Sequence, residues 1–115
     1  PFDKSAALAR VGGDEELLRD LITVFVSEVH RWLDDIRAAI VAGDPAKLKR
    51  AAHTLKGAVD SCGASRAYDF ALRLERMGGE GRINGTEDIF AALELEIERL
   101  LPALLWYSKQ RAGSS

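Results

Sequence analysis

Several things are scarce or missing in this chain of 115 residues: it has one cysteine, one methionine, two histidines and three prolines. A lone Cys62 cannot close an internal disulfide, so a reducing compartment, the cytoplasm, is the expected setting. Two histidines on separate stretches and one cysteine make no metal-ligand set. No P-loop and no glycine-rich nucleotide motif is present, so the chain should lack an ATP site and be unable to phosphorylate itself. No apolar run is long enough to span a bilayer, and no signal peptide is visible. A dominant charge is missing too: sixteen Lys and Arg face eighteen Asp and Glu, a formal net charge of -2. That balance gives no reason to expect nucleic acid or an anionic membrane as partner, and any positive patch has to be local. Period-two alternation, internal repeats and low-complexity blocks are absent, which argues against β and repeat architectures. The first residue is Pro1 and not methionine, so a piece of a longer protein is expected.

What is present is ordinary for a soluble globular protein: 47% apolar and 30% charged residues. The length suits one domain with a single closed core. The pattern is of helices punctuated by glycine. "FDKSAALARV" reads as a short helix capped by Asp3 and ended by Gly12 and Gly13. From Asp14 to about Ala42, apolar residues recur every three or four positions: Leu18, Ile22, Phe25, Val29, Trp32, Ile36 and Ile40. "AGDPAK" breaks the pattern, with Asp44 as N-cap and Pro45 as first helical residue of a third helix. That helix carries Leu48, Ala52, Leu55, Val59 and Cys62 on one stripe. A fourth follows "SCGAS" and presents Ala67, Phe70, Ala71, Leu74 and Met77. "GGEGRINGT" reads as a loop. The last helix starts near Thr86, with Glu87 and Asp88 at its positive end, and should bury Ile89, Leu93, Ile97, Leu100 and Leu104. Pro102 should kink or fray it. The predicted fold is all-α: an antiparallel up-down four-helix bundle over residues 1–107, with the short N-terminal helix as a lid. Residues 108–115 are expected to be a disordered tail.

"AAHTLKGAVDSCGA", Ala51 to Ala64, holds the chemistry. On a wheel of about 100° per residue, His53 points about 140° away from the apolar stripe, toward solvent. Lys49, Lys56, Gly57 and Asp60 lie beside it at i−4, i+3, i+4 and i+7. An imidazole in that position is a free nucleophile. Lys56, a cation one turn away, suits a phosphoryl oxygen. Gly57 costs roughly 1 kcal/mol against alanine inside a helix. Either it leaves bare backbone so that another protein can approach His53, or it accommodates the crossing of a neighbouring helix. Lys49 and Lys56 likewise belong either to a site or to a solvated face.

This stretch resembles the signature of the histidine phosphotransfer family, H-x-x-K-G with a further glycine, here His53, Lys56, Gly57 and Gly63. "FDKSAALARVGGDEELLRDLITVFVSE" is similar to the opening of the same family, so the likeness runs from about Phe2 to Leu105. Ala58 and Ser61 depart from the small polar residue and the asparagine that the family often has, which should tune local hydrogen bonding only. The resemblance implies a phosphorelay intermediate. His53 would take a phosphoryl group from an aspartyl phosphate on a receiver domain and pass it to another receiver. The receiver would supply the acidic pocket and Mg²⁺, and this chain no cofactor. Lys56 would stabilise the phosphate and Gly57 give access. Lys49 and Asp60 would belong to the docking surface, together with parts of the second helix. A weak interface and a monomeric carrier are expected.

His30 also falls on a polar face but lacks the K-G pair, and reads as a bystander. Trp32 fits the apolar stripe and is expected in the core, as is Cys62. Trp106 and Tyr107 either pack over the bundle end or meet a neighbouring domain. Three alternatives remain in view. A chemotaxis-type kinase phosphoacceptor domain would carry a His-x-x-Glu pair on the following helix, where this chain has Leu72 and Glu75. A sensor-kinase dimerisation pair would place an acidic residue after the histidine, where Thr54 stands. A helical adaptor would make His53 dispensable.

Overall fold

The computed structural model describes residues 2–110. Within them the chain forms five helices: α1 (Lys4–Arg10), α2 (Glu15–Ala42), α3 (Pro45–Ser61), α4 (Ser65–Gly79) and α5 (Thr86–Lys109). The helix starts obey one local rule. Asp3, Asp14 and Asp44 each sit at an N-cap in extended backbone, and each carboxylate accepts from the amide three residues on, at 3.0, 3.0 and 3.1 Å. Each cap satisfies an orphan donor and stabilises its helix by about 1 kcal/mol. The α2–α3 turn is as short as a turn can be. Gly43 adopts φ 64°, its amide and that of Asp44 close on the carbonyls of Ile40 and Ala39, and Asp44 then opens α3.

The four long helices close a ring: α2 packs on α3, α3 on α4, α4 on α5, and α5 back on α2. This is the up-down antiparallel bundle that the spacing implies. Its core contains Leu18, Ile22, Phe25, Val29, Leu33 and Ile36 of α2, Leu48, Leu55 and Val59 of α3, Leu74 of α4, and Leu93, Ile97, Leu100 and Leu104 of α5. The backbone of the short α1 comes close to those of α2 and α3, at one end of the bundle. Gly63 lets it do so: at φ 64°, a Cβ there would lie 2.7 Å from the Asp3 carbonyl oxygen.

Several expectations shift in detail. Leu33 takes the core position, while Trp32 is only half-buried, its ring tilted against Phe25. Phe90 rather than Ile89 turns inward, and Phe70 and Ile40 sit at the core margin. For Trp32 and Ile89 the next residue in the chain, about 100° round the helix, is the buried one. The helix α5 continues through Pro102 to Lys109, past the expected end at 107. Pro102 is exposed, so the carbonyl that loses its amide partner faces water. Residues 111–115 of the expected tail lie outside the described residues. Tyr107 is buried against Phe2, with Lys4 and Arg19 over its ring, whereas Trp106 is exposed.

The largest difference lies at the α4 end. Gly78 and Gly79, expected in a loop, belong to the helix. Gly78 is buried, and a Cβ on it would come within 2.7 Å of both the Lys49 amide nitrogen and the Pro45 carbonyl oxygen. Glycine at this point sets how near α4 comes to α3.

Candidate functional site

That close α3–α4 approach brings two helices' side chains to one place. His53 projects from the middle of α3 with its side chain 67% exposed, as the wheel implies. Its Nδ1 lies 2.9 Å from Oε2 of Glu75, on α4. The other oxygen of that carboxylate, Oε1, lies 2.7 Å from the ammonium of Lys56. Glu75 is largely covered, at 16% exposure, and so is Lys56 at 20%. One carboxylate therefore ties together the imidazole and the lysine, which stand a turn apart on α3.

The electrostatics follow from that arrangement. Burial pushes the Glu75 carboxyl up, but the hydrogen bonds and charges of Lys56 and His53 outweigh it and hold it below its ordinary value. The Lys56 ammonium is raised by its bond to Glu75, against a smaller opposing effect of burial. An ionised carboxylate can only accept, so the ring nitrogen facing Glu75 must be the donor. In the neutral imidazole this places N–H at Nδ1 and leaves the lone pair on Nε2.

Gly57, one turn beyond His53, is exposed, and a Cβ built there would meet nothing within 4 Å. The crossing of a neighbouring helix is thus not its reason; that role falls to Gly78. The Ser61 hydroxyl donates to the Gly57 carbonyl at 3.2 Å. Lys49 is exposed and shares a cleft of about 720 Å³ with Ala46, Arg50, His53, Thr54 and Glu75. Asp60 lies farther along α3, where Arg10 of α1 donates to it at 3.2 Å. His30 is exposed on α2 and belongs to no such group. Cys62 is 1% exposed, and burial pushes its thiol up to about 12. Among the described residues, no three His, Cys, Asp or Glu side chains gather as metal ligands. Nor, among them, is any helix long and apolar enough to cross a membrane.

Of the residues singled out from the sequence, the structure brings His53, Lys56 and Lys49 together around Glu75, with Gly57 one turn on. Glu75 entered the sequence reading only as the match to the glutamate of a chemotaxis-type His-x-x-Glu pair, without its contact with both His53 and Lys56. Arg50 was passed over, although it stands three residues before His53 and so on a neighbouring part of the helix face.

The model of the Hpt domain family matches residues 20–103, most of the chain. This protein belongs to that family, whose members carry phosphoryl groups on histidine within phosphorelays. Its backbone superposes on the crystal structure of histidine-containing phosphotransfer protein B from Pseudomonas aeruginosa PAO1 with a TM-score of 0.85, over 96% of each chain, at 21% sequence identity. At that identity the likeness is one of fold. No curated protein matches the sequence.

Proposed function

We propose that His53 is the phosphoacceptor of a cytoplasmic relay carrier, taking its phosphoryl group from the aspartyl phosphate of one receiver domain and giving it to another. The observation that carries this reading is the exposed imidazole whose Nδ1 is held by the Glu75 carboxylate. The Nε2 lone pair attacks phosphorus. The bond from phosphorus to the aspartyl oxygen breaks, and the receiver's carboxylate leaves with that electron pair. The ring, now bonded to phosphorus and still protonated at Nδ1, gains positive charge that Glu75 offsets across 2.9 Å. Transfer onward runs the same steps in reverse.

Alignment and charge neutralisation are the main demands of such a step, so a bundle that fixes one imidazole is sufficient. Mg²⁺ and the acidic pocket belong to the receiver, and this chain contributes no cofactor. Lys56 is placed to neutralise a phosphoryl oxygen, in exchange for part of its contact with Glu75. Gly57 keeps the approach open. Lys49 flanks the docking surface near His53, and Asp60, held by Arg10, lies toward its far edge. The apolar stripes of the four long helices are satisfied within one chain, which suits a monomer.

The test is incubation with receiver domains charged by a small phosphodonor. Acid-labile, base-stable label should appear on the unmodified protein and on His30→Gln, and be absent from His53→Gln. Full labelling of His53→Gln ends the proposal. The Glu75 contact also suits the phosphoacceptor domain of a chemotaxis-like kinase, although Leu72 stands where that class has a histidine. Labelling by a kinase's ATP-binding domain, with no exchange to receivers, would favour this second reading.

A further inference from the structure

The near-neutral total charge conceals a segregation. From Pro45 to Gly79, which spans α3 and α4, seven Lys and Arg face three Asp and Glu. In α2, three face six, and in α5, two face five. Pairing sharpens the contrast. On α2 and α5, Arg31 lies against Glu28 and Asp35, Arg37 against Asp34 and Glu94, and Arg99 against Glu96. On α3 and α4, Lys47, Lys49, Arg50, Arg73 and Arg76 are exposed and enter no ion pair among the described residues.

Three of these cations, Lys49, Arg50 and Arg76, stand near the His53, Lys56 and Glu75 group. Lys49 and Arg50 line the cleft that contains His53 and Glu75. Arg73 lines a separate cleft of about 420 Å³ on α4, with Arg66, Asp69 and Arg76. Arg76 follows Glu75 directly in the chain. Among the described residues, His53 thus sits on the helix pair of net positive charge, while α2 and α5 are net acidic.

We propose that Lys49, Arg50 and Arg76 form an electropositive docking strip that steers the acidic, carboxylate-lined phosphorylation face of a receiver domain onto His53. This rests on the relay reading. A receiver that holds Mg²⁺ beside an aspartate must present several carboxylates there. Opposed fields raise encounter rates by about 10- to 1,000-fold at low salt, and the gain falls as salt screens it. Because the strip acts before contact, it raises the rate of association without lengthening the complex's lifetime, as a carrier that must release its partner requires.

The experiment uses the receiver domain that exchanges phosphate fastest with the unmodified protein, from a panel charged by acetyl phosphate. Transfer kcat/KM is measured across ionic strength for the unmodified protein, for Arg50→Glu/Arg76→Glu, and for Arg82→Glu/Arg99→Glu as a control of equal charge change away from His53. Labelling by phosphoramidate reports whether His53 remains intact. The strip predicts a loss of at least about tenfold in the first variant at low salt, converging with the unmodified protein near molar salt, where the Debye length is about 3 Å. The control should lose less than about threefold. Equal losses in both variants, no loss in either, or loss of phosphoramidate labelling along with transfer overturns the proposal. So does insensitivity to salt combined with failure of Leu21→Asp/Val24→Asp, which would place docking on the exposed apolar residues of α2. Absence of exchange with every receiver would instead refute the relay reading beneath it.

Discussion

Gly57→Ala and Gly78→Ala make the same chemical change in two helices and should have opposite signs. Gly57 lies inside α3, and its added methyl would touch nothing within 4 Å. Only helix propensity remains, so Gly57→Ala should stabilise by up to about 1 kcal/mol. Gly78 is the next-to-last residue of α4, where the propensity gain is smaller. Its methyl would lie 2.7 Å from the Lys49 nitrogen, 2.7 Å from the Pro45 oxygen and 3.0 Å from the Lys49 Cα. All three are backbone atoms of α3, which cannot turn aside as a side chain would. Forcing the helices apart should cost about 1–3 kcal/mol. The two variants should therefore differ by about 1–4 kcal/mol, which for a domain of this size is a gap of about 4–15 °C in Tm. Urea unfolding followed by far-ultraviolet circular dichroism reads the same difference as a shift in midpoint at constant slope. If both variants move the midpoint the same way by similar amounts, the α3–α4 contact is not what demands glycine at 78.

Two further outcomes follow from the buried groups. Glu75 is held below its ordinary carboxyl value, so its contribution to stability is present above about 4.5 and lost as pH falls through its depressed value. Lys56 is raised, so its share is present below 10.5 and lost as pH rises through its raised value. Glu75→Gln should accordingly lower the urea midpoint near neutrality, by a deficit that shrinks as pH falls below about 4.5 and through the depressed value; a deficit that stays constant as pH falls would refute the ion pair. Cys62, with its thiol pushed up to about 12, should resist iodoacetamide in the folded protein at pH 8 and react readily in urea. Because the unfolded thiol ionises near 9.0, stability should also fall as pH rises above that value. Equal alkylation rates in the folded and unfolded states would show that Cys62 is accessible.

The helices were legible because their signals are local. Asp3, Asp14 and Asp44 act within three residues of themselves, and Gly43 within four. The direction of His53 was legible for the same reason, since a wheel needs only one helix. What failed was what two helices decide together. Trp32 and Leu33 are adjacent on α2, and both lie near its apolar stripe. Which of them enters the core depends on the rotation of α2 against its partners, and that is absent from any single-helix pattern. Gly78 and Gly79 carry a loop signal by composition, yet the requirement at Gly78 is the backbone of α3, some thirty residues earlier in the chain.

The same reasoning explains why Glu75 was undervalued, and it connects the fold to the chemistry. A carboxylate on α4 can reach both His53 and Lys56 on α3 only if the two helices run close together at that level. Gly78 stands three residues after Glu75, hence nearly one turn along α4. It presses against the backbone of Lys49, which stands four residues, or about one turn, before His53. The contact between Gly78 and Lys49 is therefore the nearest fixed point that sets the reach of Glu75. A methyl group at 78 would move α4 outward and lengthen a hydrogen bond of 2.9 Å and an ion pair of 2.7 Å together. Once Nδ1 loses its acceptor, nothing holds the neutral ring in the tautomer that leaves the lone pair on Nε2. A glycine whose effect on the core is purely steric thus also sets which nitrogen of His53 keeps the lone pair that the proposed transfer would use.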